Sequence, residues 1–212
     1  MEKKNFYDFC DIIEKLRAPG GCPWDREQTH QTLKKHLLEE AYEACDAIDD
    51  ENPKKIADEL GDVLLQIVMH AQIAKEEATF DIDDVTDIVS RKMIERHPHV
   101  FGDVVVNNSS EVLDNWEEIK KKQRGQKKAW EAMEGVTRSL PSLYRAGKII
   151  EKAQKAGFIE KAENSVFTEE QIGQKLFEIC VDASQNGINA EEALSSFTKK
   201  FIKKIKNIEE NT

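Results

Sequence analysis

The sequence is poor in residues that interrupt helices and has no long apolar run. Its 212 residues include ten glycines and five prolines, which favours long helices joined by few turns. No apolar run approaches the roughly 18 residues that a membrane-spanning helix needs. The N-terminal stretch MEKKNFYDFCDIIEKL lacks the apolar core of a signal peptide. We therefore expect a cytoplasmic protein that makes no membrane contact.

Positive charge and paired cysteines are also scarce. The net charge is −10, whereas a general nucleic-acid binder carries a basic surface, so we expect no nucleic-acid partner. An anionic small substrate is not excluded, because a bound metal can supply the positive field. The four cysteines show no C-x-x-C spacing, which favours reduced thiols.

Two acidic clusters lie on consecutive predicted helices, residues 25–50 and 53–77, which are joined by a break at Asn52-Pro53. On each helix the acids flank the apolar stripe. The short turn makes the helices antiparallel neighbours, so the two flanks can face each other across a cleft. The first cluster reads E-E-x-x-E and the second E-x-x-D, and together they comprise Glu39, Glu40, Glu43, Glu59 and Asp62.

Two interpretations of these acids remain open from spacing alone. Most charged runs are solvated helix surface, but such runs usually lie opposite the apolar stripe and not beside it. Oxygen-rich acidic clusters are also the usual ligands of Mg²⁺. Gly61 lies between the two acids of the second cluster, where glycine costs about 1 kcal/mol relative to alanine. It predicts close approach of another backbone or a ligand.

The other predicted helices are assigned from caps and apolar periodicity. A first helix covers residues 5–17, and Asp25, with Gln28, is the predicted N-cap of the second. Asp83 or Asp84 opens a fourth helix, and Ser109 or Ser110 opens a fifth. The residues expected on the buried side of the fourth helix are Val85, Ile88, Val89 and Met93.

Cationic and aromatic side chains near the ends of the last two helices have alternative explanations. Lys92 and Arg96 can complement the helix dipole of the fourth helix or contact phosphate. Trp116 on the fifth helix can belong to the core or stack on a nucleobase, and Lys120 follows it near a basic helix end.

Residues 17–124 resemble the MazG nucleoside triphosphate pyrophosphohydrolase family. The resemblance rests on the acidic clusters in LEEAYEACDAI and ADELGDVLLQIVMHAQ, with LRAPGGCPWDREQTHQTL upstream and ERHPHVF and SSEVLDNWEEIK downstream. It implies an all-α fold with four core helices per domain, assembled as a homodimer. It also implies Mg²⁺-dependent hydrolysis of nucleoside triphosphates between the α- and β-phosphates, with Mn²⁺ as an alternative ion.

The resemblance also implies roles for individual residues. Glu40, Glu43, Glu59 and Asp62 are the expected metal ligands. Glu39 and Glu40 are the expected catalytic pair, and Glu39 either ligates metal or orients the attacking water; the sequence leaves open which carboxylate is the general base. The expected contacts to phosphate and base are Lys92, Arg96, Trp116 and Lys120.

The second half of the chain resembles a degenerate repeat of part of the first half. EEQIGQKLFEICVDA (169–183) aligns with ADELGDVLLQIVMHA (57–71) and keeps its apolar pattern. Gln171 and Gln174 stand where the first copy has Glu59 and Asp62, and neutral amides are poor Mg²⁺ ligands. The stretch 156–167 is too short to hold the missing acidic helix.

We therefore expect a MazG-like helical bundle domain (1–124), a linker (125–141) and a shortened, degenerate second helical repeat (142–212). The repeat is expected to support packing or dimerisation; the alternative is that Lys200 and Lys204, aligned with Lys92 and Arg96, contact substrate. The expected function is broad nucleoside triphosphate pyrophosphohydrolysis that cleans the nucleotide pool. The alternatives are a narrower dUTP or phosphoribosyl-nucleotide pyrophosphatase and a non-catalytic nucleotide-binding regulator.

Overall fold

The computed structural model describes residues 2–160 and 167–211, and this part of the chain is all-α, as predicted. None of the described helices is long and apolar enough to cross a membrane. The helices are α1 (Phe6–Arg17), α2 (Pro23–Glu27), α3 (His30–Asp49), α4 (Pro53–Glu76), α5 (Ile82–Arg96), α6 (Pro98–Phe101), α7 (Ser109–Gln123), α8 (Ala129–Glu134), α9 (Ser142–Lys155), α10 (Glu169–Gln185) and α11 (Ala190–Glu210).

The chain divides into two compact units, Met1–Phe101 and Gly102–Thr212. The first unit contains α1–α6 and the second contains α7–α11. The predicted domain boundaries at residues 124 and 141 follow the sequence repeat instead of packing, and they stay a prediction.

The first unit is built on the α3–α4 hairpin. The predicted break at Asn52-Pro53 is confirmed: Asn52 is the N-cap of α4, and its side chain accepts the backbone N–H groups of Lys54 and Lys55. Pro53 suits the first helical position, because its missing N–H would have no partner there. The tight connection sets α3 and α4 side by side, so that residues near the turn on both helices are neighbours.

The core of the first unit lies away from that turn, where α1 packs on α4. Its buried centre comprises Ile13, Leu33, Val68, Met69 and Ile73. Arg17 ends α1 with a buried guanidinium that makes two hydrogen bonds to the Glu76 carboxylate, at 2.9 and 2.7 Å. It also donates to the backbone carbonyls of Asp25 and Gln28, so one side chain ties the Pro/Gly loop to the end of α4.

The predicted starts of two helices are wrong. Asp25 does not cap the long acidic helix: it lies inside the short α2, and Thr29 caps α3 through reciprocal hydrogen bonds with Thr32. The backbone of Gln28 is extended between the two helices, which separates them. Asp81 caps α5, ahead of the predicted Asp83 or Asp84.

The second unit has its own core, formed by α8, α9 and α11. Met133 of α8 and Val136, both within the predicted linker 125–141, are buried in this core. They pack there with Ile149 of α9 and with Ile202 and Ile205 of α11. The prediction that 156–167 is too short for a helix lies partly outside the described residues, because 161–166 are not described.

The face of α5 that was expected to be buried is solvent-exposed in the single chain, and so is part of α4. On α5, Ile88, Val89 and Met93 were expected to be buried, but their exposed fractions are 51%, 48% and 36%. On α4, Leu60, Leu64 and Ile67 are exposed as well. The periodicity correctly marks an apolar face, but the described part of the first unit does not cover it.

Candidate metal and catalytic site

Three carboxylates meet across the α3–α4 hairpin. Glu40 and Glu43 lie one turn apart on α3, and Glu59 lies on the second turn of α4. One carboxylate oxygen from each lies within 4.8 Å of the other two. Among the described residues this acidic trio is the one group of three or more His, Cys, Asp or Glu side chains that comes this close. The hairpin therefore converts sequence-distant acids into one cluster.

The trio fits a small divalent cation. Oxygen ligands on opposite sides of an octahedral Mg²⁺ are about 4.2 Å apart, since each metal–oxygen distance is about 2.1 Å. Small side-chain adjustments would therefore allow all three oxygens to coordinate one ion. The donor set is all carboxylate, which matches the preference of Mg²⁺ and Mn²⁺ for hard oxygen ligands.

The electrostatics of the trio show uncompensated negative charge. Partial burial raises the pKa of Glu40, and the charges of Asp62, Glu43, Glu39 and Glu59 raise it further. The pKa of Glu59 is raised by desolvation and by the charges of Glu43, Asp62 and Asp58, while Lys55 opposes them. A bound cation would relieve this repulsion, because it favours the ionised form of each carboxylate.

Asp62 and Glu39 lie outside the trio but differ in their surroundings. Asp62 lies one turn after Glu59 on α4, and its charge raises the pKa of both Glu40 and Glu59. The charge of Glu39 raises the pKa of Glu40. The Glu39 carboxylate is 61% exposed and lies 3.4 Å from His36 Nδ1. The ring of His36 in turn meets Trp24 edge-on, with centroids 6.1 Å apart. Sequence reasoning missed His36, although its i,i+3 spacing from Glu39 is a usable signal.

The glycine between the α4 acids has no close neighbour in the described chain. A Cβ built on Gly61 would meet no atom within 4 Å. The predicted close approach of another backbone is therefore not found within the described part of this chain. The open space leaves the flank of α4 beside the acids accessible.

The four predicted substrate contacts divide between the two units. Lys92 lies on α5 and Arg96 ends that helix, both in the first unit with the acids. Trp116 and Lys120 lie on α7 in the second unit, where they line one cavity. Lys152 of α9 also lines this cavity and forms an ion pair with Glu117 at 2.9 Å. Helical spacing in the sequence does not predict this contact.

Comparison with known proteins gives matches to a family model, to curated relatives and to solved structures. The MazG nucleotide pyrophosphohydrolase domain matches residues 28–101, which contain all five acids and end where the first compact unit ends. The nucleoside triphosphate pyrophosphohydrolase/pyrophosphatase MazG of Thermotoga maritima is 40% identical, and the alignment covers 97% of this chain and 86% of that protein. This chain belongs to the MazG family. The nucleoside triphosphate pyrophosphohydrolase of Escherichia coli K12 is 39% identical over 93% of this chain and 84% of its own length.

Family membership confirms the resemblance inferred from the motifs. A crystal structure of a mazG-related protein from Thermotoga maritima overlaps 52% of this MazG chain and 95% of its own, with 26% identity and a TM-score of 0.45. The roles of the individual MazG residues in metal and substrate binding stay predictions.

Proposed function

We propose that this MazG-family chain is a Mg²⁺-dependent nucleoside triphosphate pyrophosphohydrolase, which releases nucleoside monophosphate and pyrophosphate. The observation that carries the proposal is the convergence of Glu40, Glu43 and Glu59 within 4.8 Å across the α3–α4 hairpin. The relatives named as nucleoside triphosphate pyrophosphohydrolases support the reaction class. Mn²⁺ is the expected alternative ion, and removal of unwanted nucleotides from the pool is the expected role.

The proposed site divides its work between ligands and a water-orienting group. Glu40, Glu43, Glu59 and Asp62 would hold the metal through their carboxylate oxygens. A bound Mg²⁺ supplies charge neutralisation at the phosphates and a lowered pKa for bound water. Glu39 lies outside the trio, so its carboxylate can orient the attacking water, with Glu40 as the second candidate to accept the proton. The contact between His36 and Glu39 helps to set the direction of the Glu39 carboxylate.

The anionic substrate also needs cationic contacts that the acidic hairpin does not provide. We assign Lys92 and Arg96 of α5 to the phosphates, because both lie in the same compact unit as the acids. Trp116 and Lys120 are proposed to contact the base and a phosphate, respectively. Aromatic stacking on a base is sequence-tolerant, which suits a broad substrate range.

The proposed reaction is tested by pyrophosphate release from a panel of nucleoside triphosphates, with and without Mg²⁺. We expect turnover by the unmodified chain, loss of turnover on chelation, and loss in Glu43→Ala and Asp62→Ala. Turnover restricted to dUTP or a phosphoribosyl-nucleotide would support the narrower enzyme. Absence of turnover on every triphosphate would favour the non-catalytic regulator, and undiminished turnover in both variants would move the site elsewhere.

The homodimer is proposed from the exposed apolar face of the first unit. Leu60, Leu64 and Ile67 of α4, with Ile88 and Met93 of α5, are apolar side chains that the described unit leaves exposed. A second copy of the chain has the same face, so a twofold pairing buries both. The test is molar mass by light scattering: the unmodified chain should be dimeric, and Leu60→Asp with Met93→Asp should be monomeric. A monomeric unmodified chain would contradict the proposal.

A further inference from the structure

Two arginines are buried in the described part of the chain, and they differ in whether they have a partner there. Arg17 is 9% exposed, and its guanidinium makes two hydrogen bonds to the Glu76 carboxylate. Arg145 of α9 is 4% exposed, but its buried Nε and Nη1 atoms have no hydrogen-bond partner among the described residues. Its guanidinium forms no ion pair with those residues either. Arg145 is therefore a buried cation without a counterion in the described chain.

A buried guanidinium needs an anion more strongly than other buried basic groups do. A buried lysine or histidine can become neutral by losing its proton, whereas arginine stays charged in proteins. Removal of that charge from water is costly unless an acceptor replaces the water. The Glu76 carboxylate meets this need for Arg17. The acceptor for Arg145 has to come from elsewhere.

A cavity beside Arg145 has room for such an acceptor. Its volume is about 420 Å³, within the range of small-molecule sites. Only residues of the second unit line it: Glu134 at the end of α8, Arg138 after it, Arg145 of α9, and Lys199 and Ile202 of α11. The three cations outnumber the single acid, and that acid already lies 3.5 Å from Arg138. The lining thus has an excess of positive charge in a chain whose net charge is −10.

A phosphate group suits this lining better than a carboxylate does. A guanidinium can donate two parallel hydrogen bonds to either group, so its shape alone does not distinguish them. A phosphate carries up to two negative charges and has a further oxygen for a second cation, and the ammonium of Lys199 is a cation on another wall. A single carboxylate would leave part of the positive charge unpaired.

We propose that the second unit binds the phosphate group of a small molecule in this cavity, with Arg145 as the central contact. Arg145 donates to the phosphate oxygens after a small rotation of its side chain, and Lys199 adds a second charge from α11. Arg138, which is 74% exposed and paired with Glu134, contributes charge from the solvent side. None of these residues belongs to the proposed reaction, so binding needs neither a metal ion nor turnover at the acidic trio.

Calorimetric titration of the full chain in metal-free buffer tests the site. The probes are inorganic phosphate, glycerol 3-phosphate and acetate at equal ionic strength. We expect both phosphate compounds to bind and acetate to bind at least about tenfold more weakly, because it has one charge and two oxygens. Tighter binding of glycerol 3-phosphate would support the site with an organic phosphate as its ligand, and equal or weaker binding would support it with the free ion. Absence of binding by both phosphate compounds would overturn the proposal, as would equal affinity for acetate.

Variants separate this cavity from general electrostatic attraction. Arg145→Met should weaken phosphate binding by at least about tenfold, and Lys199→Ala by at least about fivefold, since each removes a charged hydrogen-bond donor. Lys203→Ala is the matched control. Lys203 is an exposed lysine one turn further along α11 that does not line the cavity, and its loss should change the affinity by about twofold or less. An equal loss in Lys203→Ala, or unchanged affinity in Lys199→Ala, would contradict the site.

Thermal unfolding distinguishes a ligand contact from a structural role of Arg145. Without phosphate, Arg145→Met should have the same Tm as the unmodified chain or a higher one, because it replaces an unpaired buried charge with an apolar side chain. Arg17→Met should lower the Tm, because it breaks the pair with Glu76. Saturating phosphate should raise the Tm of the unmodified chain but not that of Arg145→Met. A fall in Arg145→Met as large as that in Arg17→Met, without phosphate, would show that Arg145 already has a structural partner and would overturn the proposal.

Discussion

Helices α4 and α10 share an apolar sequence pattern but have different environments. In α4 the aligned stretch 57–71 buries Val68, Met69 and Ala71 in or beside the first core. In α10, no residue of the aligned stretch 169–183 is buried, and Phe177 is 71% exposed. The acids differ in the same way, because Glu59 and Asp62 of α4 are replaced by Gln171 and Gln174 in α10.

The difference shows that an apolar or acidic pattern on a helix forms a core or a carboxylate cluster only where another helix packs against it. The α3–α4 hairpin gives Glu59 two acidic neighbours from another helix. The cores of the two units are built differently: α4 contributes three residues to the first, whereas α8, α9 and α11 supply the second without a buried residue from α10. The repeat thus keeps the apolar period of α4, but α10 does not contribute a buried residue to its core as α4 does.

The largest expected effect comes from giving α4 the amides of α10. Glu59→Gln with Asp62→Gln should lower pyrophosphate release about 10²- to 10³-fold, because the amides are poor Mg²⁺ ligands. The fold should remain, since the change removes charge repulsion that raises the pKa of Glu40. The measurement is kcat/KM for pyrophosphate release, with thermal unfolding as the check on folding.

Two matched controls sharpen that experiment. Glu27→Gln with Glu77→Gln removes two charges from exposed positions of the same unit and should keep at least half of the activity. The reciprocal change, Gln171→Glu with Gln174→Asp, should create no second Mg²⁺ site, because the described second unit brings no acidic helix to α10. A second Mg²⁺ bound per chain in that variant would contradict the comparison.

A second prediction compares side chains at one aligned position. Met69 of α4 is 3% exposed, whereas Val181, its counterpart in α10, is 37% exposed. Met69→Ala should lower the free energy of unfolding by about 2–5 kcal/mol through lost burial and a cavity. Val181→Ala should change it by about 0.5 kcal/mol or less if α10 is exposed in solution as well. Denaturant unfolding measures both, and equal losses would show that another chain covers α10.

The third prediction concerns the pH dependence of metal stabilisation. The pKa values of Glu40 and Glu59 are raised above the ordinary 4.5, so ionisation of these groups destabilises the metal-free fold. Stability from the protonated forms is present at low pH and is lost as the pH rises through the raised values. Mg²⁺ at about 100 times its Kd should restore about 2.7 kcal/mol at pH 7.5.

Differential scanning calorimetry with and without Mg²⁺ measures this effect. The metal-induced rise in Tm should be several degrees at pH 7.5 and should shrink as the pH falls toward 4.5, because protonated carboxylates do not ligate metal. The Glu59→Gln, Asp62→Gln variant should show little rise at either pH. A rise that grows on acidification would refute the assignment of these acids as ligands.

Local signals in the sequence predicted much of the fold and part of the site. The Asn52-Pro53 break and the apolar stripes placed both ends of α4 and the end of α3 to within one residue, and helical phasing set the acids on one flank of each helix. The cap of α3 was mispredicted because Asp25 and Thr29 both suit an N-cap, and an extended Gln28 decides between them. The pairing of Lys152 with Glu117 joins residues 35 positions apart, which helical spacing cannot show.

The sequence by itself determined that the chain is helical, that it belongs to the MazG family, and that the five acids of the candidate site lie within residues 39–62. These properties follow from residue type and from period, which are local. Only the tertiary structure decided that Glu40, Glu43 and Glu59 form the close trio, that α10 lies outside the described core, and that α7 and α9 enclose a cationic cavity. Those properties depend on which helix surfaces meet, and that is a property of packing between distant segments.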